Sequence, residues 1–172
     1  KETGLDYFEN SLDDFLKFAK EKQIEFNPKI INKGKIVDEI FKKLIRPKLI
    51  GPAFLIDHPR DISPLAKTHP QDSRITLRFQ VYLAGFEIAN AFSELNDPRL
   101  QKEIFENSVK ELKEGDLEAH PYDETFISAL EYGMPPTAGL GIGLDRLLTI
   151  ILNKKSIQEV IYFPFVRRKN NF

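Results

Sequence analysis

The run EIANAFSELND, residues 87–97, carries an amide, an aromatic ring and a carboxylate at alternate positions. In a strand, period-two alternation puts Asn90, Phe92 and Glu94 on one face. Lining a pocket, Glu94 would pair with a ligand ammonium, Asn90 would bond the ligand's polar groups, and Phe92 would pack on an aliphatic stem. At a sheet edge the same three residues would form a solvated face anchored by Phe92. Glu87 stands on the opposite parity and joins them only if a bulge lies between it and Asn90. Alone it is a weak metal ligand, and a surface salt bridge is its other use.

A second run, AGLGIGLDR at residues 138–146, places Gly139, Gly141 and Gly143 at alternate positions ahead of a helix. The spacing is neither a dinucleotide fingerprint nor a phosphate loop closed by lysine and serine or threonine. Alternate glycines leave one side of a strand bare, so that a flat ligand or another backbone can come close. Arg146 falls in the first turn of the following helix, where its guanidinium could stack on a base or meet phosphate oxygens. Tight helix-on-strand packing, with Arg146 paired to an acid and Asp145 helping to cap the helix, is the alternative.

These residues need a frame to hold them. Leu12, Phe15, Leu16 and Ala19 recur at helical spacing behind Ser11, predicting a helix over 10–20. Ile36, Ile40, Phe41 and Leu44 predict another over 35–44, halted by Pro47. Residues 53–56 read as a strand, and the proline-broken HPRDISPLAK that follows suits either a site wall or a connection. Alternation over 77–83 and again to Leu95 predicts two neighbouring antiparallel strands. Asp97 and Pro98 open a helix through Lys113; a further helix over 123–131 ends at Gly133. The glycine strand, a helix over 144–152 and a strand-like piece over 160–163 complete the chain. The order predicts one α+β domain, a mainly antiparallel sheet with packed helices, and not a doubly wound fold.

Composition narrows the function classes. With 25 basic and 26 acidic residues among 172, there is no polybasic signature of a nucleic-acid-binding module. The absence of cysteine excludes disulfides, thiolate metal sites and cysteine nucleophiles, and fits a reducing compartment. His58, His69 and His120 each precede proline and share no ligand-like spacing, so zinc is not expected. The most apolar stretch, Leu147 to Leu152, is far too short to span a membrane, and a cytoplasmic protein is expected. A first residue of Lys1 in place of methionine suggests a segment of a longer chain.

In order and separation, EIANAFSELND, EYGMPPTAGLGIGLDR and IYFPFVRR resemble the closing segments of class II lysyl-tRNA synthetases, and FLIDHPRDISPLAK resembles the segment before them. The likeness covers roughly residues 35–167 and its glycine-arginine run resembles the third class II signature motif. It implies a partial class II catalytic core: lysine and ATP, with magnesium, give lysyl-adenylate, and the lysyl group passes to tRNA(Lys). By resemblance Glu94 holds the lysine ammonium, with Asn90 and Phe92 completing that wall. Glu87 helps bind magnesium and ATP, Arg146 stacks on adenine and contacts the nucleotide, and Gly141 and Gly143 form the surface beneath. Glu87 and Arg146 would be the catalytic pair. Attack on the α-phosphorus by the lysine carboxylate needs alignment and charge neutralisation, with no covalent nucleophile or general base.

Two positions depart from the family. Gln80 stands where a second magnesium-binding glutamate is usual, and Ala138 replaces a common glycine. The first two class II motifs and the anticodon-binding barrel are not found, so a complementary N-terminal catalytic portion, and a homodimer in the parent, are expected. The isolated chain is then expected to be inactive. A synthetase-like interaction or regulatory domain with a vestigial pocket, or part of a protein-lysylating paralogue, is the rival reading.

Overall fold

A computed structural model describes residues 3–26, 32–113 and 121–165. His120 and the last three residues of IYFPFVRR lie outside the described residues. The first helix, α1 (Leu12–Glu21), starts on a capping box in which Ser11 and Asp14 satisfy each other's backbone N–H groups. Its buried Phe15 and Ala19 pack with Ile36 and Ile40 of α2 (Lys33–Ile40), forming a small apolar core. Helix α2 begins two residues before the sequence pattern suggests, because the Asn32 side chain accepts the Gly34 N–H at 2.8 Å. Past Ile40 it widens into a π turn, Phe41–Ile45, then tightens into a 3-10 turn around Pro47, which cannot donate to a continuing helix.

The sheet has four strands, β1 (Ala53–Ile56), β2 (Arg78–Leu83), β3 (Phe86–Ser93) and β4 (Ala138–Ile142), in that order and all antiparallel. Ala84 and Gly85 join β2 to β3 with φ of 51° and 76°, a pair of left-handed residues whose twist suits a two-residue hairpin. Cross-strand partners share a face, so Arg78, Gln80 and Tyr82 of β2 lie beside Phe92, Asn90 and Glu87 of β3, with Gly139 and Gly141 beyond. The opposite face is apolar and open: Phe54 is 68%, Leu140 62% and Ile142 52% exposed.

Helix α3 (Pro98–Lys113) is capped by the Asp97 carboxylate, which accepts the Arg99 and Leu100 N–H groups. Helix α4 (Glu124–Glu131) is capped by Asp123 and ends before Gly133, at φ 108°. Phe105 of α3 meets Phe126 of α4, and the buried Gln101 donates to the Pro64 carbonyl, fixing α3 to the irregular segment. Helix α5 (Leu144–Ile151) follows β4 directly.

The expected strand over 160–163 is not formed. A capping box between Ser156 and Glu159 closes a 3-10 turn over Ile157–Glu159, Val160 bonds back to Ile157, and Tyr162 and Phe163 stand in solvent. A short apolar run without a strand beside it has nothing to pair with. The observed fold is α+β, a four-stranded antiparallel sheet with packed helices.

Candidate active site

The position of Glu87 depends on one irregularity. Val81 faces Ala89 and Tyr82 faces Glu87, so β3 carries the buried Ile88 as an extra residue. That bulge resets the alternation and brings Glu87 to the face of Asn90 and Phe92.

Asn90 is held from behind. Its Oδ1 accepts Arg78 Nε at 3.1 Å, and Arg78 Nη1 donates to the Ile62 carbonyl at 3.0 Å and to Ser63 Oγ at 3.1 Å. The amide oxygen is therefore occupied, and the NH2 is the end left to donate to a ligand. Burial lowers the pKa of Arg78 from its ordinary value, but three hydrogen bonds to oxygen hold the guanidinium in place. Sequence reasoning missed Arg78; its only advance signal was sharing parity with Gln80.

The irregular segment is a wall. Ala66 bridges Glu94, Lys67 N–H donates to the Ser93 carbonyl at 2.8 Å, and Leu95 N–H donates to Leu65 at 2.9 Å. Lys67 Nζ reaches Asn96 Oδ1, and Asn96 Nδ2 donates to the Met134 carbonyl, coupling SPLAK to EYGMPP. Glu94 thus sits where three segments converge, its backbone N–H bonded to Thr137 at 2.9 Å. Its carboxylate has no hydrogen-bond or cationic partner among the described residues, and desolvation raises its pKa.

A cavity of about 490 Å3 lies between β3, β4 and the start of α5, lined by Glu87, Asn90, Gly141, Gly143, Asp145 and Arg146. Arg146 is exposed and donates from Nη1 to the Glu87 carbonyl at 2.8 Å, with no ion pair to an acid among the described residues. A β-carbon at Gly143 would come within 3.2 Å of Arg146 Cδ, so the bare glycine lets that side chain fold back over the strand end. Asp145 does not cap α5 through its side chain: the cap position is Gly143. Gln80, on the same sheet face, accepts a hydrogen bond from the Tyr82 hydroxyl at 3.2 Å. Among the described residues no cluster of three or more acidic, histidine or cysteine side chains forms a metal cage. Glu87 supplies a single carboxylate, which suits magnesium carried in on phosphates, since that ion needs only one or two protein carboxylates.

A wider cavity of about 910 Å3 adjoins this face, lined in part by Asp38, His58, Arg60, Arg78 and Gln80. His58 is 5% exposed and its Nε2 has no partner among the described residues. Burial first, then the positive charge of Arg78, push its pKa from 6.5 down to about 4. The unfolded chain therefore binds the proton more readily than the folded one between those values, and stability must rise with pH across that window. Stability is expected to be complete above pH 6.5 and to fall progressively as pH drops toward 4. Urea titrations of the parent and of H58Q check this: the variant should lose less stability on acidification, and equal losses would refute the assignment.

The family model for tRNA synthetases class II (D, K and N) matches residues 10–167, and the chain belongs to that family. Within it the likeness is to lysine–tRNA ligases. Over 168 residues, 97% of this chain and 34% of the relative, it is 47% identical to that of Bacillus subtilis (strain 168) and 48% identical to that of Staphylococcus aureus (strain MW2). Over 167 residues, 96% of this chain and 33% of the relative, it is 46% identical to that of Prochlorococcus marinus (strain MIT 9515). The chain spans about a third of the length of these curated relatives. No helix among the described residues is long and apolar enough to cross a membrane.

Proposed function

We propose that this chain is the C-terminal portion of the catalytic domain of a lysine–tRNA ligase, supplying the lysine wall and one wall of the ATP site for lysyl-adenylate formation and transfer of lysine to tRNA(Lys) in the cytoplasm. The observation that carries this reading is Glu94. A carboxylate partly withdrawn from water and without a cation among the described residues, flanked by an aromatic ring and an amide, is a receptor for an ammonium on an aliphatic stem. Asn90, oriented by Arg78, donates to the amino acid, and Phe92 covers the stem. Gly141 and Gly143 leave the strand surface bare for the nucleotide, and Arg146 stacks on its base. Glu87 is the residue that would hold magnesium, with Gln80 contributing no charge; the ion would supply charge neutralisation at the phosphates. The complementary catalytic portion, tRNA(Lys) and a second copy of the parent are the partners this role requires.

The test is amino-acid-dependent ATP–pyrophosphate exchange by the complete ligase that contains this chain. Lysine should drive exchange, and R146A should raise the ATP KM by roughly tenfold or more while the lysine KM stays within about threefold. An unchanged ATP KM and rate would remove Arg146 from the nucleotide site, and exchange driven equally by amino acids without a cationic side chain would overturn the reading.

A further inference from the structure

Glu94 and Gly139 claim one volume. Gly139 lies on β4 opposite Phe92, and a β-carbon added there would fall 2.0 Å from Glu94 Oε1 and 3.2 Å from its Cδ. The backbone does not demand glycine, since Gly139 is not among the described positive-φ residues. The next glycine on that face imposes no such conflict: a β-carbon at Gly141 would meet only the Asn90 carbonyl, at 3.8 Å. Room for the carboxylate is therefore the specific consequence of a bare α-carbon at position 139.

From this geometry we infer that Gly139 is a specificity-determining positioning residue, whose missing side chain lets the Glu94 carboxylate lie against the strand at the depth that meets a long cationic side chain. The inference rests on the ammonium-binding role of Glu94. A methyl group at 139 drives the carboxylate out by at least about 1 Å before the contact reaches even 3.0 Å. The displaced group is the flexible end of a side chain, so the fold absorbs the change while the ligand contact does not. Misplacement on this scale costs up to ~100-fold in a reacting site.

In lysine-dependent ATP–pyrophosphate exchange by the complete ligase, G139A is expected to raise the lysine KM roughly 10- to 100-fold, with the ATP KM and the melting temperature little changed. The decisive variant is the double one. E94D draws the carboxylate back by one methylene and vacates the space beside position 139, so E94D/G139A should bind lysine within about threefold of E94D alone. Losses that multiply would show that the two residues act independently and would overturn the inference. So would a G139A lysine KM within about threefold of the parent, an equal rise in ATP KM, or loss of the folded state. E94Q separates the two levels. If it cripples lysine use while G139A does not, the ammonium role stands and only the positioning role falls; if E94Q leaves the lysine KM unchanged, the underlying reading falls first.

Discussion

Replacing Glu94 with glutamine is expected to weaken lysine-dependent pyrophosphate exchange by roughly 10- to 1000-fold at subsaturating lysine, about 1.4–4 kcal/mol of lost recognition. The substitution keeps the shape of the side chain, removes its charge and turns one of its two acceptor oxygens into an NH2 donor. Glu94 has no cation or donor among the described residues, so no internal partner is orphaned by the change. The loss should consequently fall on ligand binding and leave folding nearly untouched. Desolvation already raises the Glu94 pKa, and a ligand ammonium would reverse that shift by stabilising the charged form. Exchange within twofold of the parent would remove the residue from the lysine site.

How much of this site could be read from the chain follows from the range of the interactions that build it. Strand parity is local, and it placed Asn90, Phe92 and Glu94 together without knowledge of any partner strand. Glu87 could be placed only conditionally, because the bulge at Ile88 is set by the pairing of β3 against β2. Arg78 was invisible as an organiser: its partners lie 12 to 16 residues away, on β3 and in a proline-broken segment whose path no periodicity describes. Gly139 could be recognised as a bare position, but not as the space that a particular carboxylate occupies. The helices followed from apolar spacing and caps, with the start of α2 moved by the Asn32 cap. Residues 160–163 show the reverse failure, since their β-like pattern required a neighbouring strand that the described residues do not provide.

The 172-residue chain by itself is expected to show no lysine-dependent exchange above background, with activity appearing when the remaining two thirds of the ligase, measured against its relatives, is supplied. In the proposed reaction the centre is a negatively charged α-phosphate, whose transition state needs donors and cations around it. In the cavity beside β4 the ionisable lining residues among those described are Glu87, Asp145 and Arg146, two acids and one base. Their sum opposes a triphosphate unless magnesium and further cations arrive from outside these residues. The sheet carrying this wall also has its apolar face uncovered, at Phe54, Ile56, Leu140 and Ile142, with Leu144 and Ile151 of α5 alongside. Strands supported on one side hold their side chains less firmly, and a catalytic constellation loosened by about 1 Å forfeits ~100-fold. Lysine alone could still bind weakly, because Glu94, Asn90 and Phe92 are braced by SPLAK, Arg78 and Thr137 within the chain. The experiment is pyrophosphate exchange on the purified chain, repeated after adding the complementary catalytic portion, with lysine binding followed by calorimetry in both. Exchange by the lone chain at a rate comparable to the complemented mixture would refute the split-site account, while activity restricted to the mixture would place the missing cations on the complementary portion.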